Sequence, residues 1–178
     1  MTSSSSVHRT CQQTVMMGIM AQRVWLTATQ QRTWTSYMQV YLRLDYEMNR
    51  QLQADFGISL ADYSVMNALS NEPGRRMQSS RLATMIGWER SRLSHQLRRM
   101  EMRRLVERLA SESDRRATDA KLTPQGWRLL RSAAPKHVAW VRRLFFAELD
   151  DAAADQLADL LGTVYETILR NGTLPRPH

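Results

Sequence analysis

The sequence predicts a mainly α-helical fold carrying one small β-hairpin, and three observations support that reading. Apolar residues recur at spacings of three and four over several long stretches, which is the period of an amphipathic helix. Two short runs, 106–109 and 117–122, flank a polar and charged segment, as paired strands flank a hairpin tip. Gly57, Pro73-Gly74, Gly87 and Thr123-Pro124 fall between these stretches, where such residues punctuate elements.

Residues 1–12 are rich in Ser and Thr and predict a loose tail. Val15, Ile19 and Leu26 form a partial apolar stripe that predicts an additional helix over 15–29, so residues 1–30 read as an N-terminal extension. Met16, Met17 and Met20 are alternative start sites within it. From 32 to 56, Trp34, Met38, Tyr41, Leu42, Asp45, Met48 and Leu52 trace a mostly apolar helical stripe, closed by Gly57. Ser59 is a good N-cap for a helix over 60–70, with Asp62 in its first turn. Glu72-Pro73-Gly74 predicts a turn, and 75–77 is long enough only for a small strand.

A short helix over 79–86 is broken at Gly87, and another runs over 89–103. The hairpin follows. Thr123 and Pro124 then open a long helix, with Thr as N-cap and Pro at the first helical position. It continues to about residue 149, with Pro135 positioned to kink it. Leu157, Leu160, Leu161, Val164 and Ile168 mark a last helix over 152–170. Helix, turn, helix and hairpin in that order make 57–123 a winged helix-turn-helix unit. Segments 31–56 and 124–170 are expected to form a helical dimerisation region, because terminal amphipathic helices can bury their stripes against a symmetry mate.

The charge has a telling location. The net charge is +8, and 23 of the 25 basic residues are Arg, the exceptions being Lys121 and Lys136. Between residues 75 and 116 lie 12 basic and 5 acidic residues, so 42 residues carry nearly all the excess. A solvated basic face is one reading. Nucleic acid is the leading one, because clustered positive charge attracts phosphate and releases its counterions; the layout of the chain makes double-stranded DNA the expected partner.

Other classes find little support. The longest apolar stretches fall short of the ~18 residues that a membrane span needs, and no secretory leader is evident. One cysteine, Cys11, rules out an internal disulfide framework and a multi-cysteine zinc cluster. These points favour the cytoplasm. His8, His95, His137 and His178 are scattered without metal-ligand spacing, so no metal or other cofactor is expected. No phosphate loop or nucleophile elbow is present, and an enzyme is not expected.

Within the basic segment, Leu82-Ala83, Gly87 and Leu93 fit two closely crossing helices. Ala83 is small enough for the crossing, and Gly87 permits the tight turn. Leu93, Leu97 and Met100 face inward on the second helix, leaving Arg90, Ser91, Arg92, Ser94, His95, Arg98 and Arg99 on its surface. A helix of this kind sets its first turns against base edges while flanking positions hold phosphates. Arg90, Ser91, Ser94 and His95 are therefore the candidate base readers, and Arg98, Arg99 and Arg103 the candidate phosphate clamps. Arg115 and Arg116 sit at the hairpin tip, where Arg suits a narrow A·T-rich minor groove. Asp114, repelled by phosphate, either fixes an Arg rotamer or caps the turn.

From about Trp34 to Ile168 the chain resembles the MarR family of bacterial regulators. The residues carrying the resemblance are Leu82-Ala83, Gly87, Arg90-Ser91, Leu93-Ser94 and Leu105-Val106-Glu107-Arg108. Asp114-Arg115-Arg116-Ala117 follows, and then Leu122-Thr123-Pro124-Gln125-Gly126. The resemblance implies a homodimer through the outer helices, a recognition helix in each of two major grooves, and Arg116 in the minor groove. It implies a repressor acting on a pseudo-palindromic operator, and a small aromatic anion as effector. The alternatives are a constitutive DNA-binding protein without effector, or a redox-responsive regulator using Cys11. Trp34, Tyr37, Tyr41, Trp127 and Trp140 either pack in the core, which their helical spacing favours, or line an effector pocket. Arg104 stands where the family often has Gly, so a positive φ there would cost roughly 1 kcal/mol. Gln78 and Glu89 stand where better N-caps are common.

Overall fold

The computed structural model describes residues 25–111 and 117–177. The chain divides into two compact units, Met1–Tyr46 and Glu47–His178. Helix α1 (Ala28–Phe56) begins in the first and ends in the second. Its start lies four residues before the expected one, because Thr27 and Gln30 form a capping box. The Gln30 amide donates to Thr27 Oγ1 at 3.2 Å, and the Thr27 amide donates to Gln30 Oε1 at 2.9 Å. Of the expected 15–29 helix, residues 25–27 are not helical and 28–29 belong to α1; the rest of that segment lies outside the described residues.

In the first unit, Trp34, Tyr37 and Tyr41 lie along one face of α1, with ring centroids 5.7 and 6.1 Å apart in succession. All three are exposed, so the core packing expected from their spacing does not occur. A period of 3.6 reports that a helix has an apolar face, not that the same chain covers it.

The second unit holds the core. Helix α2 (Leu60–Ser70) starts at Ser59 as expected, with a full capping box closed by Asp62. A single 3₁₀ turn at Pro73–Arg75 leads into β1 (Arg76–Gln78), then α3 (Ser79–Met85) and α4 (Arg90–Met102). Strands β2 (Val106–Ala110) and β3 (Thr118–Leu122) follow, then α5 (Pro124–Phe145) and α6 (Asp151–Asn171). Leu52, Ile58, Val65, Met66, Leu69, Leu82, Leu93, Leu97, Met100, Leu105, Val106, Leu122 and Leu130 interlock as one buried cluster.

The sheet has three strands in the order β1-β3-β2, both pairings antiparallel. The short strand foreseen at 75–77 is thus an integral edge, and the expected two-stranded hairpin is wider than the sequence indicated. Arg76 ties the three strands together: Nε donates to Asp119 on β3 at 2.7 Å, and Nη2 to the Ala110 carbonyl on β2 at 3.0 Å. Helix α5 is capped by Thr123, as foreseen, and runs through Pro135. It stops at Phe145 rather than near 149, where a turn from Phe146 to Leu149 leads to Asp150, the N-cap of α6. The outward face of α6 carries exposed Leu160, Leu161, Val164, Tyr165 and Ile168.

Helices α3 and α4 end alike. At α3 the Trp88 amide bonds to Ala83 O and the Gly87 amide to Thr84 O; at α4 the Leu105 amide bonds to Met100 O and the Arg104 amide to Glu101 O. Both are Schellman motifs, which need a left-handed residue after the cap. Gly87 supplies it at φ +70°, whereas Arg104 is held at φ +58°. The Arg104 carbonyl is pinned by the Thr123 hydroxyl at 2.6 Å. Arg104→Gly should therefore stabilise the fold by about 1 kcal/mol, read as a melting point about 2–4 °C higher. An unchanged or lower melting point would mean that unfolded-state entropy offsets the relief.

Candidate nucleic-acid interface

Helix α4 is amphipathic in the strict sense. Leu93, Gln96, Leu97 and Met100 are buried at spacings of three, one and three, and the remaining faces are open. Arg90, Ser91, Arg92, Ser94, His95, Arg98 and Arg99 are all exposed, as expected. Glu89 begins the helix without a side-chain cap bond, and Gln78 does the same for α3. The guanidinium groups of Arg90, Arg98 and Arg99 make no hydrogen bond or ion pair with another described residue. Arg92 differs: its guanidinium lies 4.2 Å from the centre of the Trp88 ring, in the turn between α3 and α4. That contact holds a cation at the head of the helix.

The exposed face of α4 borders a cleft of about 450 Å³. Ser79 and Ser80 line it from the start of α3, Arg90 and Ser94 from α4, and Arg108 and Thr118 from the two hairpin strands. Arg108 is braced by Glu101 at 2.8 Å. The sequence reading found Arg90 and Ser94 but missed the other four as candidates. They come from three separated segments, and only the strand register brings them together. Asp114, Arg115 and Arg116 lie outside the described residues, as does Cys11. The hairpin is described as far as Ser111, whose amide bonds to Ala117 O at 3.0 Å.

Arg103 corrects an expectation. Expected as a phosphate clamp, it is instead tied to the protein while 40% exposed, with Nη1 2.7 Å from Asp62 Oδ2 and Nη2 2.8 Å from the Gly57 carbonyl. Asp62 is 1% exposed and also receives the Gln96 side-chain amide at 2.6 Å and the Ser59 backbone amide at 2.8 Å. A buried carboxylate demands this many donors, and Arg103 was the cation within reach. The local capping signal of Asp62 gave no sign of these distant partners.

A separate polar cluster lies where α1, α2 and α5 meet in the second unit. His137 is buried, its Nδ1 3.2 Å from Gln51 Oε1 and its ring 4.6 Å from that of Tyr63. Burial pushes the His137 pKa down and that of Tyr63 up. Trp140 is parallel to the imidazole at 6.3 Å, and Trp127 packs against the core edge beneath Arg75. Among the described residues no group of His, Cys, Asp or Glu is arranged to hold a metal ion, and no helix is long and apolar enough to cross a membrane.

Comparison with known structures decides the family. The chain is 40% identical to AbsC, a MarR family transcriptional regulator from Streptomyces coelicolor, over 81% of this chain and 97% of that one, with a TM-score of 0.76. The chain belongs to the MarR family. A second MarR family regulator from the same organism, Sco3205, solved in complex with DNA, is 35% identical over 86% of this chain and 97% of its own, with a TM-score of 0.79. The MarR family sequence model matches residues 56–117, which contain α2 to β2 and every lining residue of the cleft named above except Thr118. A mutant MarR from E. coli, complexed with operator DNA, shares the fold at 19% identity, with 73% and 91% coverage and a TM-score of 0.67. No curated protein sequence matches the chain. The winged helix and the mainly helical class expected from sequence are those of MarR regulators.

Proposed function

We propose that this chain is a sequence-specific, duplex-DNA-binding transcriptional regulator of the MarR type, acting as a repressor and bound as a homodimer to a pseudo-palindromic operator. The observation that carries this reading is the exposed face of α4. Arg90, Ser91, Ser94 and His95 are exposed, and Arg90 and Ser94 line a cleft of about 450 Å³. An α-helix fits the major groove of B-DNA, and Arg pairs bidentately with guanine. Arg98 and Arg99, further along α4, are suited to phosphate. Arg115 and Arg116 keep the wing role expected from their place in the hairpin sequence, Arg116 also by the family resemblance, with Asp114 supporting the turn. The 35% identical Sco3205 was solved with DNA, which supports the same use of this surface. The exposed apolar residues of α6 and of the first unit's helix favour a symmetric partner. A two-fold pair of reading helices calls for half-sites about one helical turn, ~10 bp, apart.

Selection from a random duplex pool, followed by titration of variants over a salt series, tests this. The wild type should bind its selected duplex as two chains per site. Arg90→Ala should cost about 1–3 kcal/mol at that duplex and relax preference at one base pair in each half. Arg98→Ala should weaken selected and random duplexes equally and flatten the salt dependence by about one unit per protomer. Equal losses from both variants on every duplex would reduce the face to a generic phosphate patch.

A further inference from the structure

We propose that Asp62, Gln96 and Arg103 form a clasp that fixes the pose of α4, so that Arg103 governs which duplex is preferred without touching DNA. The proposal rests on α4 being the DNA-reading helix. Gln96 and Arg103 are seven residues apart, hence on one face of α4 and about 10 Å apart along its axis. Both nevertheless reach a single carboxylate on α2. Gln96 donates to Oδ1 at 2.6 Å and Arg103 to Oδ2 at 2.7 Å. Helical side chains lean toward the N-terminus, which lets Arg103 reach back along α4 to the acceptor that Gln96 meets directly. Two grips on one buried point resist both sliding and rotation of the helix.

The second arm of Arg103 extends the tie. Its Nη2 donates to the Gly57 carbonyl at 2.8 Å, so one guanidinium joins the end of α1, the start of α2 and the last turn of α4. Moving this group wholly onto a phosphate would strip the cation from a carboxylate that is 1% exposed, which leaves a buried charge short of a partner. Arg98 and Arg99 carry no such commitment, so the arginines of one helix divide into contacting and positioning groups. Base readout is sensitive to pose, because a bidentate pair tolerates little displacement. Attraction to phosphate is not, because it depends mainly on charge count.

The test compares full-length wild type with Arg103→Met, Arg103→Lys, Gln96→Met and, as the contacting control, Arg98→Ala. Each is titrated with the selected duplex and a random duplex of equal length across a salt series, after thermal melting confirms folding. Arg103→Met should keep the wild-type salt slope while the preference for the selected duplex falls about tenfold. Gln96→Met should behave in the same direction. Arg103→Lys should regain part of the preference, since an ammonium can reach Asp62 or Gly57 but not both. Should Arg103→Met fail to fold, the milder Gln96→Met and Arg103→Lys carry the same comparison. A salt slope lowered by about one per protomer with both duplexes equally weakened would make Arg103 a phosphate contact and overturn the proposal. So would an unchanged preference in all three. A wild type with no preferred duplex would remove the DNA-reading assignment itself, and that failure is visible before any variant is measured.

Discussion

Gly126→Ala should destabilise the protein by about 3 kcal/mol, the upper part of the range for overpacking. A methyl group at this position would stand 2.8 Å from Leu122 Cδ1 and closer still to the Leu105 carbonyl oxygen. The leucine side chain can rotate, but the carbonyl cannot retreat. It already accepts the Thr123 amide at 3.1 Å in the junction that starts α5. The neighbouring Arg104 carbonyl takes the Thr123 hydroxyl at 2.6 Å, and the same hydroxyl oxygen receives the Gly126 amide at 3.0 Å. Relief would have to come from moving α5 away from the end of α4, which loosens Leu130 and Ala133 in the core. Thermal melting should show a drop of about 6–12 °C. A change under 2 °C would mean that the two helices separate easily, and the close approach would then not be a constraint on the fold.

Asp62→Ala should have an effect of similar size, about 3 kcal/mol, through a different cause. It removes the reciprocal half of the α2 capping box and leaves the Gln96 amide without its 2.6 Å acceptor. Losing a cap costs about 1 kcal/mol, and an unsatisfied buried donor about 1–3 kcal/mol. The Arg103 side chain is 40% exposed, so water can solvate it once released and its share is small. Denaturant titration should find a lower midpoint with an unchanged slope. Asp62→Asn, which keeps the shape and one acceptor oxygen, should lose less. Equal losses for both would assign the stability to the negative charge and not to the hydrogen bonds.

What could be read from the sequence was local. Ser59 with Asp62, Thr123 with Pro124, Gly57 and Gly87 all mark boundaries through chemistry completed within a few residues, and the structure has its helix ends there. The apolar face of α4 was legible for the same reason. The Thr27–Gln30 capping box is equally local, and it starts α1 four residues before the helix expected from the apolar stripe. The remaining misses are long-range. Nothing near Arg103 announces Asp62, 41 positions away. Nothing near Gln96 announces that a polar side chain should be buried. The aromatic face of α1 had the right period and the wrong environment, since periodicity cannot distinguish a core from an outer face. The cleft needed three segments in register before Ser79, Arg108 and Thr118 could be seen as neighbours of Arg90.

The strand order β1-β3-β2 has a consequence for how the chain assembles. The β2–β3 hairpin joins neighbours in sequence and can zip within microseconds. Strand β1 cannot join until β3 exists, and the Arg76–Asp119 bond closes a loop of 43 positions with the entropy that such closure costs. Inside that loop lie α3 and α4. The two helices of the helix-turn-helix are therefore an insert within a ring sealed by three residues of strand. Unsealing the β1 edge frees both at once, and hydrogen exchange along α3 and α4 should then rise and fall together as a single cooperative unit.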